Sequence, residues 1–387
     1  MNNFKIFIWK NLLIIFLFLL FSCSEKEGEV IPSDGSLNTE NSIVKIAQPE
    51  FVFGFIGQNR YAYCPTVSKQ DDGSIHLFFC GNPQSMIMVD NIYHIKINPD
   101  GSKTTPKSVL QPGTSGSWDD HHTCDPSVIE GEFKWGNTTY KYAMFYLGNK
   151  YGVYYNEIGI AFSNDLDADS WIKFPEQIVR KTWNSDGDQL IGNGGKSWGV
   201  GQPSVVSIDG KGKLLLTYTI GDISGTRIVW CQADFSDMDN YIIDSPTTIV
   251  QSGLKTIDNQ SSDYTCNSDF AINKEKDKIV MIRPVQPMPN EYPSYISSTL
   301  ELDYMNFSDF IAQRGSWIPI YRITPADTSF PRNHNAALLR NNFGWIEDWE
   351  EPTFYFSVSR AAPDVQPSGS GHAEWTYQIW KSKIIKQ

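Results

Sequence analysis

The sequence predicts an all-β protein, a five-bladed β-propeller built from four-stranded antiparallel blades, on three observations. One short pattern, each time followed by an apolar run, occurs five times: Tyr63-Cys64-Pro65-Thr66-Val67, Cys124-Asp125-Pro126-Ser127-Val128, Gly201-Gln202-Pro203-Ser204-Val205, Cys266-Asn267-Ser268-Asp269-Phe270 and, more loosely, Asn333-His334-Asn335-Ala336-Ala337. Aligned on Pro65, Pro126, Pro203, Ser268 and Asn335, the copies recur roughly every 60–80 residues, too far apart for one hairpin and suited to a blade with long loops. No stretch sustains a helical apolar period, and Asp-, Asn- and Gly-rich turns separate short apolar runs throughout. The residue before the aligned position should then repeat around a central axis. Those residues are Cys64, Asp125, Gln202, Asn267 and His334.

The elements follow in order. Blade 1 runs Thr66 to Ser68, a turn at Asp71-Asp72-Gly73, Ile75 to Cys80 and Ile92 to Ile97, with Asn98-Pro99-Asp100-Gly101 leading to its last strand. Blade 2 is the most complete: Pro126 to Ile129, Tyr140 to Leu147, Glu157 to Ser163, a turn over Asn164 to Asp169, and Trp171 to Phe174. Blade 3 reads Ser204 to Ile208, Asp209-Gly210-Lys211-Gly212, Lys213 to Ile220, Thr226 to Ala233 and Tyr241 to Ile243. Blade 4 gives Asp269 to Ile272, Lys278 to Arg283 and Tyr295 to Leu302; blade 5 gives Ala336 to Leu339, Thr353 to Val358 and Trp375 to Trp380. Phe51 to Ile56 is a strand placed to join the last blade and close the ring, which would remove an open edge.

The N-terminus carries Lys5 and Lys10, an apolar run from Leu12 to Phe21, then Ser22-Cys23. That is a signal-peptide pattern, too short to span a membrane as a helix. Leu20-Phe21-Ser22-Cys23 is similar to the lipobox of bacterial lipoproteins, which implies cleavage before Cys23 and acylation of that residue. The expected organisation is a lipoprotein signal peptide over 1–22, a flexible tether over 23–45 and one propeller domain over 46–387. The expected location is an exported, membrane-held lipoprotein at the outer membrane, the cell surface or the periplasmic face. A formal charge of −12 leaves no basic stripe to neutralise phosphates, so nucleic acid is not an expected partner. An aromatic fraction of 13% suits either β cores or a carbohydrate-facing surface, and a monomer is expected. Five cysteines remain after Cys23, none in the paired spacing of a zinc site. Cys64, Cys124 and Cys266 at strand starts read as small packing residues, while export also permits disulfides.

Antiparallel strand order carries the functional consequence. If inner strands start at a ligand-facing mouth, the connections between second and third strands return to that mouth. This gathers Asp125, Gln202, Asn267, Asp269 and His334 with Asn82, Asn149, Glu157, Asp222, Arg227, Arg283, Arg360 and His372. Trp118, His121 and His122 lie close enough to Asp125 in sequence to line the same pocket. The loop with Asp186, Asp188, Gly192, Gly194 and Gly195 accounts for the longest spacing between copies and is expected to border the mouth.

Cys124-Asp125-Pro126-Ser127-Val128, Met144 to Gly148, Glu157 to Ser163 and the Ser163-Asn164-Asp165 turn with Trp171 together resemble the five-bladed propeller glycoside hydrolases, the group including families 43, 32, 68, 117 and 130. The resemblance implies a carbohydrate ligand and a general base, a pKa-tuning Asp and a general acid in the slots of the first three blades. Asp125 matches the second slot. Cys64 stands in the first and Gln202 in the third, and an amide cannot deliver a proton as a carboxylic acid does. Candidate catalytic groups are therefore Asp125, Glu157, Asp222, Asp269 and His122; candidate sugar-binding residues are Trp118, His121, Gln202, Asn267, Arg283 and Arg360. The resemblance also implies a Ca²⁺ at the propeller centre touched by His334, which reads equally well as a core histidine. The run Asp165, Asp167, Asp169 has the alternate spacing of oxygen ligands, or is a plain Asp-rich turn. A glycosidase, a glycan-binding propeller without catalysis, and a structural or interaction module of a membrane-attached complex are the three functions in contention.

Overall fold

The computed structural model describes residues 44–55, 61–82, 89–152, 155–180, 198–222, 225–249, 254–259, 266–285, 297–359 and 377–387. Five antiparallel sheets form the blades. Blade 1 consists of Tyr61–Lys69, Ile75–Asn82, Asn91–Ile97 and Lys107–Leu110, and blade 2 of His122–Trp135, Thr138–Asn149, Glu157–Ser163 and Ile172–Lys173. Blade 3 has Gly199–Ser207, Lys213–Asp222 and Gly225–Asp234, with the short outer strands Ile242–Ile243 and Thr247–Thr248. Blade 4 has Asp269–Asn273, Lys278–Val285, Thr299–Asn306 and Ile318–Ile323. Blade 5 is composite: Arg332–Leu338, Thr353–Ser359 and Gln378–Lys386 are completed by Val44–Ile46 and Glu50–Phe53 from the other end of the chain. The strand expected at Phe51 does join the last blade, and Val44 and Lys45, expected in the tether, belong to that blade too. Residues 295–296 and 375–376 of two expected strands lie outside the described residues.

Why the strands read as nearly continuous apolar runs is explained by what covers them. Successive side chains point to opposite faces of a strand, and each blade face packs on a neighbouring blade. Leu214 and Leu216 face blade 2, whereas Leu215 between them faces blade 4. Ala336 and Leu338 pack on blade 4, and Ala337 packs on blade 1. Burial on both faces removes the polar alternation of a half-exposed sheet.

The recurrent sequence pattern is a β-bulge. The inner-strand ladder breaks register between Tyr63 and Thr66, Cys124 and Ser127, Gly201 and Ser204, and His334 and Ala337. In each bulge one residue is left-handed: Cys64 at φ 52°, Asp125 at 48°, Gln202 at 54° and Asn335 at 42°. Asn267, ahead of the fourth inner strand, matches them at 49°. The fifth slot therefore belongs to Asn335 and not to His334, which aligns with Tyr63 and Cys124. A short Asn side chain tolerates this conformation better than an imidazole beside it.

Two cross-links tie the blades together. Cys80 of blade 1 and Cys124 of blade 2 form a disulfide, so Cys124 does more than pack; among the described residues Cys64 and Cys231 keep their thiols. At the end of the axis away from the strand starts, the segment after the fifth inner strand crosses under the other four. Arg340–Asn341 runs parallel to Ser68–Lys69, Asn342 O accepts from Glu130 N, Phe343 O from Ser207 N, and Trp345–Ile346 pairs with Ile272–Asn273. Gly344 has φ 76°, and a Cβ there would press on Val206 Cα at 3.0 Å, so the crossing requires glycine. This crossing closes the floor of the axial channel and sends the Arg340 guanidinium up into it, 3.2 Å from Ser127 Oγ, 3.3 Å from Asp269 Oδ1 and bonded to Phe270 O.

Candidate functional site

A cavity of about 530 Å³ opens where the inner strands start, with Asp125, Gln202, Asn267, His334, His121 and His122 among its lining, as expected. Asn149 joins them from the end of the second strand of blade 2.

Asp125 is on the bulge of blade 2, 7% exposed. Its N–H donates to Cys80 Sγ at 2.8 Å, and its Oδ1 lies 3.3 Å from Cys124 Sγ. Burial raises its pKa to about 6, although the Cys64 thiol and the backbone N–H of Gln202 hydrogen-bond the carboxylate and oppose the rise; the nearby Asp90 charge adds to it. A substantial protonated fraction at mildly acidic pH follows. That makes Asp125 a carboxyl able to give a proton.

Its counterpart is Asp90, which the sequence reading did not single out. Asp90 stands in the connection between the second and third strands of blade 1, 1% exposed yet lining the cavity. The phenols of Tyr61 and Tyr63 both donate to its carboxylate, the latter at 2.8 Å. Its N–H donates to His122 Nδ1 at 3.2 Å, so the proton of the neutral imidazole is on Nε2, 3.6 Å from Asp90 Oδ2. Burial lowers the His122 pKa against the pull of Asp90, keeping the ring neutral at pH 7. Burial likewise raises the Tyr63 phenol well above its usual range, with Asp90 reinforcing it, so Tyr63 remains a donor. The donor atoms of Asp90, His122 and Cys124 lie within 4.8 Å of one another. With Asp125 Oδ1 at 3.3 Å from that same sulfur, the two carboxyl groups are at most about 8 Å apart, within reach of the spacing that lets a pair flank a glycosidic bond. The rule that second-to-third-strand connections face the mouth was the available signal for Asp90, and it was obscured because no strand motif surrounds the residue.

Five other expected groups are engaged elsewhere, and none of them lines the cavity. Glu157 is buried and accepts from Gln177 Nε2 at 2.9 Å, while its neighbour Asn156 faces the cavity. Asp222 is held by both terminal nitrogens of Arg227, at 2.8 and 2.7 Å, inside its own hairpin. Asp269 is a blade connector, accepting from Ser204 Oγ of blade 3 at 2.7 Å and from Leu338 N of blade 5 at 2.9 Å. Arg283 is fully buried between Asp303 at 2.8 Å and Glu301 at 3.1 Å. Trp118 lies behind the wall, its ring against Tyr146 and so close to Gly148 and Gly159 that a Cβ on either would come within 2.7 and 2.5 Å of it. Arg360, His372 and the loop around Asp186 and Asp188 lie outside the described residues.

At the axis the bulge residues line a second, smaller cavity of about 30 Å³, enough for a water or one ion. Asn267 Oδ1 and Asn335 Oδ1 are buried there with no hydrogen-bond partner among the described residues. His334 Nε2 accepts from Asn267 Nδ2 at 2.9 Å, which places the ring proton on Nδ1 and makes that atom a donor. Burial lowers the His334 pKa to about 3, so the ring is neutral. Besides these two amide oxygens the lining includes Asp125, Gln202 and Asp269, but Gln202 Oε1 accepts from Asn267 N and Asp269 from Ser204 Oγ and Leu338 N, so fewer uncommitted oxygens remain than the six to eight Ca²⁺ takes and the set suits a water better. Asp165 and Asp169 are occupied as in a plain turn, Asp165 Oδ1 accepting from Asp167 N at 2.9 Å and Asp169 pairing with Lys107 at 2.7 Å.

In sequence the chain matches no protein-family model and no curated protein. In structure it is similar to a family 117 glycoside hydrolase of the marine bacterium Zobellia galactanivorans, with a TM-score of 0.55 and 9% identity over 89% of this chain and 90% of that one. A protein described as a glycoside hydrolase gives a TM-score of 0.58 and 13% identity over 88% and 92% of the two chains. An α-L-arabinofuranosidase of Podospora anserina, solved with cellotriose, gives 0.52 and 11% over 88% and 96%. At such identities the likeness is one of fold: the five-bladed propeller expected from the sequence.

Proposed function

We propose that this protein is a glycoside hydrolase acting on an oligo- or polysaccharide at the propeller mouth. The observation that carries the reading is the pair of buried carboxyls, Asp125 and Asp90, lining one cavity with oxygens at most about 8 Å apart. Asp125, with its raised pKa, gives its proton to the leaving-group oxygen. Asp90, fixed by Tyr61 and Tyr63, takes the proton of the attacking water. Gln202, Asn267 and Asn149 supply hydrogen bonds to sugar hydroxyls, and Tyr63 and Tyr377, whose rings stack at 5.0 Å, give the wall a flat apolar face. The Leu12 to Cys23 segment supports export and anchoring by lipid on Cys23.

A panel of aryl glycosides and neutral oligosaccharides tests the reading with wild type and Asp90→Asn. Turnover of at least one substrate, reduced by roughly 10²-fold or more in the variant, is expected. Saturable binding without turnover in the wild type would instead make this a glycan-binding propeller, the reading that Cys64 and Gln202 favour by filling slots where a carboxyl was expected.

A further inference from the structure

Three sulfurs converge beside Asp125. Tyr63 and Cys80 are register partners across the first two strands of blade 1, and Cys64 follows Tyr63 in the bulge. The reactive atoms of Cys64, Cys80 and Asp125 lie within 4.8 Å of one another, while Cys80 is already bonded to Cys124 of the next blade. The same carboxylate that accepts from the Cys64 thiol stands 3.3 Å from Cys124 Sγ. A free thiol, a disulfide and a proton carrier between the attacking and leaving sulfurs are the parts of an exchange reaction.

We propose that Cys64 exchanges with the Cys80–Cys124 disulfide, exporting the bridge from the blade 1–blade 2 junction into blade 1 itself. Asp125 takes the thiol proton of Cys64, and the resulting thiolate attacks Cys80 Sγ. The Cys64–Cys80 bond forms as the Cys80–Cys124 bond breaks. Cys124 leaves as a thiolate and recovers the proton from Asp125. No oxidant or reductant is consumed, since one disulfide and one thiol are present before and after.

The consequence is local and mechanical. The original bridge clamps the inner strand of blade 2, one residue before Asp125, to the second strand of blade 1. After exchange that clamp is gone, Cys124 is held only by non-covalent contacts, among them Tyr63 Oη at 3.1 Å and Asp125 Oδ1 at 3.3 Å, and the bulge carrying Asp125 is freer to shift. The cavity thus has two covalent states with different restraint on Asp125. Burial pushes the Cys64 thiol well above its ordinary range, with the Asp125 charge adding to it, so the exchange is slow near neutrality and quickens in alkali.

The test is non-reducing peptide mapping of the intact protein, held at about pH 9.5 or pH 6, then acid-quenched and alkylated with a maleimide. At pH 6 the maleimide should mark Cys64 and spare Cys80 and Cys124. At the higher pH a Cys64–Cys80 linked peptide and alkylated Cys124 should appear together, and Cys64→Ser should abolish both while Cys266→Ser leaves them. In a Cys124→Ser variant given oxidised glutathione, the Cys64–Cys80 bridge should form outright. Cys80–Cys124 as the sole bridge of the wild type at both pH values overturns the proposal, as does unchanged release of Cys124 in Cys64→Ser.

Discussion

Asp125→Asn should lower kcat/KM on a cleavable glycoside by roughly 10²–10⁴-fold and, at pH 7.5, make the protein more stable. Both effects come from one cause. Burial lifts the Asp125 pKa from 3.8 in the unfolded chain to about 6. Because the folded value is the higher one, folding binds a proton: the protonated group favours the fold below about pH 4, and this advantage disappears as pH rises through about 6. Above that the wild type carries an ionised, 93%-covered carboxylate, whereas the Asn variant carries none. The shift of about two pKa units corresponds to at most about 3 kcal/mol in favour of the variant. Urea unfolding at pH 4 and pH 7.5 should show little difference between the two proteins at the first and a gain for Asp125→Asn at the second. Wild-type kcat/KM should fall as pH rises past about 6, since the proton donor is lost. Equal turnover in wild type and variant would remove Asp125 from the mechanism; a destabilised variant at pH 7.5 would remove the explanation of its pKa.

That trade between stability and chemistry at Asp125 was partly visible in the sequence. A short motif repeated at blade spacing fixes the position of the inner strands, because a strand start at the axis carries the same left-handed residue in every blade. The same motif located Asp125 and Gln202 at the mouth. It mislocated the fifth slot by one residue, since the last copy lacks the proline that marks the first three and only the left-handed backbone of Asn335 reveals the register. Partners across blades were not legible. Asp269 looks like a mouth carboxylate until Arg340 and Leu338, about 70 residues on, are seen to hold it. Arg283 looks like an exposed binder until Glu301 and Asp303 enclose it. Asp90 has no motif of its own, and its role depends on Tyr61, Tyr63 and His122, which reach it from two blades.

Arg340→Met should be the most destabilising single change in the inner ring, costing about 3–5 kcal/mol. The guanidinium is 2% exposed and serves three blades at once: Ser127 Oγ of blade 2, Ser204 Oγ of blade 3 at 3.4 Å, and Asp269 with Phe270 O in blade 4. Methionine fills much of the volume but leaves the Asp269 carboxylate buried beside apolar atoms. The loss is thus dominated by an uncompensated charge, and a second substitution isolates it. Asp269→Asn in the Arg340→Met background should recover part of the stability, whereas Asp269→Asn alone should destabilise by stranding the arginine. Arg340→Lys should not substitute, because a point charge cannot reach the four acceptors that a planar fork spans. Denaturant midpoints of the four proteins of the cycle measure the coupling, and a cost below about 1 kcal/mol for Arg340→Met would refute the axial role. The site shares in the outcome through Ser127, two residues beyond Asp125 on the same strand. Its hydroxyl accepts from Arg340 and from Val205 N at 3.1 Å, so releasing it should loosen the bulge on which the proton donor stands. Arg340→Met that remains folded at low temperature should therefore lose turnover as well, without any contact between residue 340 and the sugar.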